Sequence, residues 1–127
     1  MGGYFTSRLC ILGERWCQRD LCQRAHARGR ALQTAVREPV GVNITTSSGG
    51  SFNVRIALRQ RVPGEARNAI AATMGSLANS KHVFVGDPDV DIFDDAQMDW
   101  ALATRFQADR DRVVETGFRT LPLDPSL

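Results

Sequence analysis

Five aspartates crowd the stretch VGDPDVDIFDD (residues 85–95): Asp87, Asp89, Asp91, Asp94 and Asp95. The first three alternate with other residues, the spacing of oxygen ligands in a calcium loop. An EF-hand loop begun at Asp87 requires glycine at its sixth position and a bidentate glutamate at its twelfth. The chain places Ile92 and Met98 there. A capped helix start accounts for more of the letters. Asp94 has the type and place of an N-cap, Gln97 follows three residues on as in a capping box, and Phe93 and Met98 flank them as a hydrophobic staple. Asp95 and Asp99 then fall in the first turns, where the helix dipole favours negative charge. Asp87, Asp89 and Asp91 receive no role from this pattern.

Other chemistry-bearing residues are sparser. Cys22 and His26 lie four apart, with Cys17 a little over one helical turn earlier. A metal site would need that geometry and a fourth ligand, and no C-x-x-C pair is present, so surface or half-buried side chains are the favoured reading. Gly49 and Gly50 lack the lysine and the helix that make a phosphate loop, which leaves them as a connection between strands. No paired acid and base or nucleophile–base set is visible. The residues by themselves therefore assign no catalytic group and no metal ligand.

The elements that must position these residues follow from periodicity. PVGVNIT has the β-branched content of a strand, with Val40, Val42 and Ile44 alternating, and TTSSGG reads as a loop. SFNVRIALRQ alternates strictly, with Phe52, Val54, Ile56 and Leu58 on one face and Asn53, Arg55, Ala57 and Arg59 on the other, the pattern of a half-buried strand. A helix then starts at Pro63, buries a stripe of Ala66, Ile70, Met74 and Leu77 flanked by Ala69 and Thr73, and ends at Asn79. HVFV (82–85) is short and apolar, as a buried central strand is. Strand, helix and strand in this order make a right-handed βαβ unit. The helix begun at Asp94 presents Met98, Ala101, Leu102, Arg105 and Phe106 on one face; QADRDR is a polar turn, VVET a short strand, and GFRTLPLDPSL an extended end. Residues 14–35 suit a helix interrupted at Gly29. The expected fold class is α/β: a single small domain with a mixed, partly parallel sheet and helices packed on it.

Composition bounds the function. A chain of 127 residues with 43% hydrophobic residues supports one compact domain. Its 16 basic and 14 acidic residues give a net charge of +2, which predicts no general attraction to nucleic acid or anionic membrane. No stretch approaches the ~20 apolar residues of a bilayer span, and the start of the chain lacks a secretory pattern. MGGYFT fits a loose myristoylation pattern, but bulky Tyr4 and Phe5 and the lack of a second membrane signal weigh against it. Three cysteines, all within the first 22 residues, are simplest as free thiols in a reducing cytoplasm.

From RQRVPGEARNAI through SLANSKHVFVGDPDVDIFDDAQMDWALATRFQADRDRVV to LPLDPSL, the chain resembles the C-terminal domain of the UbiD-type decarboxylases. The resemblance covers residues 36–127; residues 1–35 are a poorly matched, arginine-rich segment. It implies a carboxy-lyase acting on aromatic or α,β-unsaturated acids, with prenylated FMN held by manganese and potassium. In the family the cofactor pocket and a Glu-Arg-Glu catalytic set lie in an N-terminal domain, and the C-terminal domain serves oligomerisation and closure over the substrate cavity. None of Glu14, Glu38, Glu65 and Glu115 has a setting that matches the catalytic segment. Family members also continue past the point matching LDPSL, so the resemblance implies truncation there. The chain is expected to be a fragment, a product of a truncated reading frame or a separate small subunit, binding no cofactor alone. Its expected partners are the missing N-terminal domain or subunit and further copies of itself.

By the same resemblance, Leu121, Pro122 and Leu123 border the substrate cavity, with plain packing of a terminal segment as the equal alternative. Lys81 approaches an anionic cofactor or substrate, or else is a solvated lysine at a strand start. The alternative from another class is a stand-alone α/β interaction module without decarboxylase activity. For the aspartate run, the capping account predicts that titration calorimetry finds no calcium or manganese binding tighter than about millimolar; a tighter site would overturn it.

Overall fold

The computed structural model describes residues 39–50, 52–76, 80–120, 122 and 124–126. The proposed helix at 14–35 and the group Cys17, Cys22 and His26 lie outside the described residues, as do Leu77 and Asn79. Three strands form one mixed sheet in the order β1-β2-β3: β1 (Pro39–Ile44), β2 (Asn53–Leu58) and β3 (His82–Gly86). β1 and β2 are antiparallel and β2 and β3 parallel, joined by helix α1 (Glu65–Ser76). Helix α2 (Asp95–Arg105) and a single turn, α3 (Ala108–Asp111), follow.

The β1–β2 connection is set by its small residues. Thr46–Ser48 form a 3-10 turn, and Gly49 and Gly50 adopt φ of 69° and 68°, a region costly for residues with a Cβ. The Ser48 hydroxyl donates to the Thr45 carbonyl (2.9 Å) and accepts from the Asn53 N–H (3.1 Å), so one side chain closes the turn. At the other end of β1 the register slips between Pro39 and Gly41. Pro39 has no N–H to give the ladder, and an edge strand tolerates that.

One face of the sheet carries the main core. Val42 pairs with Ile56 and Ile44 with Val54 in the antiparallel register, and Val83 and Val85 continue the same rows across β3. These side chains, with Leu58, pack against Ala66 and Ala69 of α1. Full burial of a Val, Leu or Ile side chain contributes about 1.5–3 kcal/mol, so this face is the main source of stability.

The structure corrects the sequence-based expectations in four places. β2 is the central strand and is covered on both faces, whereas β3 is the outer strand among the described residues and is half-buried. Ala57 is small enough to be covered and Arg55 is neutralised, so the alternation did not mean exposure. Pro63 and Gly64 make a turn before α1 instead of its first turn. The Glu65 N–H faces the Val62 carbonyl at 3.5 Å and Gly64 has φ 95°, a type II arrangement with Pro then Gly at its corners. The buried residues of α1 are Glu65, Ala69 and Thr73, with Ile70 and Met74 only half-buried. Small residues there let the helix lie close to the sheet. Finally, VVET (113–116) is not a strand, and residues 108–111 of the polar turn form α3.

This distribution predicts that Ile56→Ala lowers unfolding free energy by about 2–5 kcal/mol in urea titrations. Ile70→Ala should cost clearly less. Equal losses would place Ile70 in the core as well.

Candidate functional site

The second face of the sheet is the centre of the molecule's polar organisation. Asn43 of β1 and Arg55 of β2 lie side by side in register and point to this face. The buried Asn43 amide donates to the Ile92 carbonyl (3.0 Å), and the Arg55 guanidinium donates to the same oxygen (3.3 Å). Arg55 Nη1 also pairs with Asp95 at 2.6 Å. The arginine is only 14% exposed and Asp95 is 77% exposed, so the pair carries the guanidinium's charge from the sheet out to solvent. The loop between β3 and α2 is thereby pinned across the sheet. Beneath it Ala57, Val90, Ile92 and Met98 form a second core, against which Phe84, Phe93 and Ala101 pack.

The aspartates of the loop are all engaged. Asp94 Oδ1 accepts from the N–H groups of Ala96 (2.9 Å) and Gln97 (3.3 Å), an N-cap geometry. Gln97 departs from a standard capping box. Its carbonyl oxygen accepts from the Asp91 N–H (3.0 Å), and its amide donates to Asp94 Oδ2 (3.2 Å). Asp91 Oδ1 accepts from the Phe93 N–H at 2.9 Å and holds the turn before the cap. Asp89 takes a bidentate pair from Arg105 at 2.9 and 2.6 Å, and Asp87 stands 3.6 Å from the same guanidinium. The Arg105 hydrogen bond holds the Asp89 carboxyl below its usual range, and Asp89 in turn raises Arg105. Among the described residues, no group of three or more His, Cys, Asp or Glu is disposed to hold a metal ion. The loop's carboxylates are instead committed to arginines and backbone N–H groups.

Lys81 precedes β3, and its ammonium lies 3.0 Å from Asp124 and contacts the Ser126 hydroxyl. The charge offered to an anionic ligand is thus taken by the chain's own carboxylate. Pro122 is exposed; Leu121 and Leu123 lie outside the described residues. Glu65, which periodicity did not single out, is buried with its carboxylate accepting the Arg61 N–H at 2.8 Å. The only local hint was an acid beside a Pro-Gly turn. The arginines 55 and 105 carried no such hint, because their partners are remote in sequence.

Beyond its first turns α2 is poorly covered. Met98 is its buried residue, while Leu102 and Phe106 are exposed and Trp100 is 70% exposed on the opposite side. Val114 (72% exposed) and Phe118 continue this apolar surface in sequence. No helix among the described residues is long and apolar enough to cross a membrane.

Comparison with known proteins adds family and scale. Residues 22–127 match the C-terminal domain of 3-octaprenyl-4-hydroxybenzoate carboxy-lyase (UbiD). The chain is 41% identical over 96 residues to the anhydromevalonate phosphate decarboxylase of Aeropyrum pernix, covering 76% of this chain and 22% of that protein. Its fold is similar to that of the UbiD-class enzyme HmfF from Pelotomaculum thermopropionicum in complex with FMN, with TM-score 0.81 and 33% identity over 84% of this chain and 24% of the enzyme. An evolved dimeric form of HmfF in complex with prFMN gives TM-score 0.70 and 31% identity over 72% of this chain and 21% of that one. The chain thus spans between a fifth and a quarter of the relatives it matches.

For the cap, Asp94→Ala should lower stability by about 1 kcal/mol, and Asp94→Asn should retain most of it, both read from denaturation midpoints. An unchanged midpoint in the alanine variant would remove the cap from the account.

Proposed function

The chain belongs to the UbiD C-terminal domain family, and on that premise we propose that it completes a UbiD-type carboxy-lyase by closing over the substrate cavity and supporting assembly. In this reading it is not catalytic alone. The observation that carries it is the large apolar surface left uncovered on α2 and the segment after it: Trp100, Leu102, Phe106, Val114 and Phe118. Single exposed apolar side chains are ordinary, but five large ones exposed within 19 residues of sequence support a surface made to be covered. A catalytic domain laid against α2 would cover it, and so would a second copy of the chain.

The chemistry belongs to the covering domain. Prenylated FMN, bound in that domain as it is in a UbiD-class neighbour, would supply the chemistry of decarboxylation. The described residues do not fit the manganese that accompanies it, because the acids of the β3–α2 loop are already paired. The substrate of the completed enzyme would be an aromatic or α,β-unsaturated acid, a reading supported by the decarboxylases among its relatives. The segment of Leu121, Pro122 and Leu123 would border the cavity as an apolar wall, and the work is cytoplasmic. A small interaction module with no link to decarboxylation would use the same surface for a different partner.

Co-expression with a UbiD-type catalytic domain separates the two. The proposal expects a stable complex whose prenyl-FMN-dependent decarboxylation disappears when this chain is omitted, and a weakened complex with Trp100→Ser/Phe106→Ser. No complex and no dependence of activity on this chain would leave the interaction module.

A further inference from the structure

The end of the chain is attached by a polar contact that neither the fold nor the proposed function uses. Among the described residues, no backbone hydrogen bond joins 112–126 to the elements before them. Phe118 lies over Gly75 of α1, and the charged contact is made further on. Lys81 is itself well anchored: its N–H and that of His82 both donate to the Phe52 carbonyl at 2.9 Å, at the mouth of the parallel β2–β3 pair. From there the ammonium reaches across 43 residues of sequence to Asp124, with Oδ1 at 3.1 Å and Oδ2 at 3.0 Å, and also meets Ser126.

The far side of this contact is a preformed receptor. Asp124 Oδ1 accepts from both the N–H (2.8 Å) and the hydroxyl (2.7 Å) of Ser126, with Pro125 between them. Such an Asx turn shapes the chain without help from the sheet. Proline also removes conformational freedom that the loose chain would otherwise regain. The Asp124 side chain is 12% exposed although it belongs to a terminal segment. Its charge is met by the Ser126 donors and the Lys81 ammonium.

We propose that Lys81 is a positioning residue whose ammonium clamps the Asp124–Ser126 turn to the start of β3 and so fixes the course of the chain's end. That the clamped end borders a substrate cavity rests on the function proposed above; the clamp itself does not. The ionisation of Asp124 agrees with the geometry. The Ser126 N–H, the Ser126 hydroxyl and the Lys81 ammonium together lower its pKa from 3.8 to about 2. Among the described residues, Lys81 is the charged group facing it. For a carboxyl lowered on folding, the contribution is complete above the unfolded value and is lost as pH falls through the folded one. The clamp therefore holds above pH ~4 and releases toward pH ~2.

The test uses the intact chain, its Lys81→Met, Lys81→Arg and Asp124→Asn variants, and two-dimensional NMR with amide hydrogen exchange. The wild-type Ser126 amide should titrate with a midpoint at about 2. In Lys81→Met and Asp124→Asn the amides after Arg119 should move to random-coil positions and exchange at least tenfold faster, while those of Val54 and Ile56 stay unchanged. Lys81→Arg should restore most of the protection, which a general structural role for the lysine stem would not require. Terminal amides in Lys81→Met that overlay the wild type would overturn the clamp. In the complex with a catalytic domain, a loosened end together with a raised KM supports both readings. A loosened end beside a wild-type complex that lacks activity removes the proposed function and leaves the clamp standing.

Discussion

The Ile92 carbonyl, held by Asn43 and Arg55, is the contact on which the rest of the described structure depends. Among the described residues, three strands and α1 bury one face of the sheet. The other face here carries Asn43, Arg55, Ala57 and Phe84, too polar to attract a second layer by apolar area alone. Two donors aimed at one backbone oxygen turn that polarity into an attachment point. Once the loop is attached, Val90, Ile92 and Met98 close over Ala57, and the start of α2 is positioned. A buried donor left without its acceptor costs about 1–3 kcal/mol, so the loop is held in one place and not merely nearby.

The aspartates extend the same attachment outward. Asp95 balances Arg55 at the sheet, Asp94 and Asp91 satisfy backbone N–H groups at the turn, and Asp89 and Asp87 gather the far end of α2 through Arg105. Carboxylates at this density would repel one another if left bare. Two arginines and several N–H groups convert them into fasteners, which accounts for both their number and their spacing. An α/β layer results in which α2 is fixed at its start and at Arg105 yet presents apolar side chains to solvent between them.

Part of this was legible in the letters. Alternation in NVRIAL identified Val54, Ile56 and Leu58 as a core row, and all three are buried. The order of strand, helix and strand implied parallel pairing, and β2 and β3 are parallel. The resemblance carried by the acidic loop and WALATRFQADRD led to the right family. The failures have one character. The stripe of larger residues in α1 suggested that Ile70 and Met74 would be innermost, but close approach of helix to sheet favoured Ala69 and Thr73. The short apolar run of β3 suggested a central strand, yet among the described residues it is the outer of three.

What the sequence determined by itself is local: which residues of a strand share a face, and where a helix begins at Asp94. These depend on periods of two and 3.6 residues and on the backbone preferences of single residue types, which are present in any short window. Only the tertiary structure decided that both faces of β2 are covered, that Asp89 belongs to Arg105 and Asp95 to Arg55, and that Lys81 is taken by Asp124. Charges and donors separated by 16, 40 or 43 residues have no shared periodicity. Their pairing is set by where the chain's layers happen to meet, and no short stretch of letters contains that.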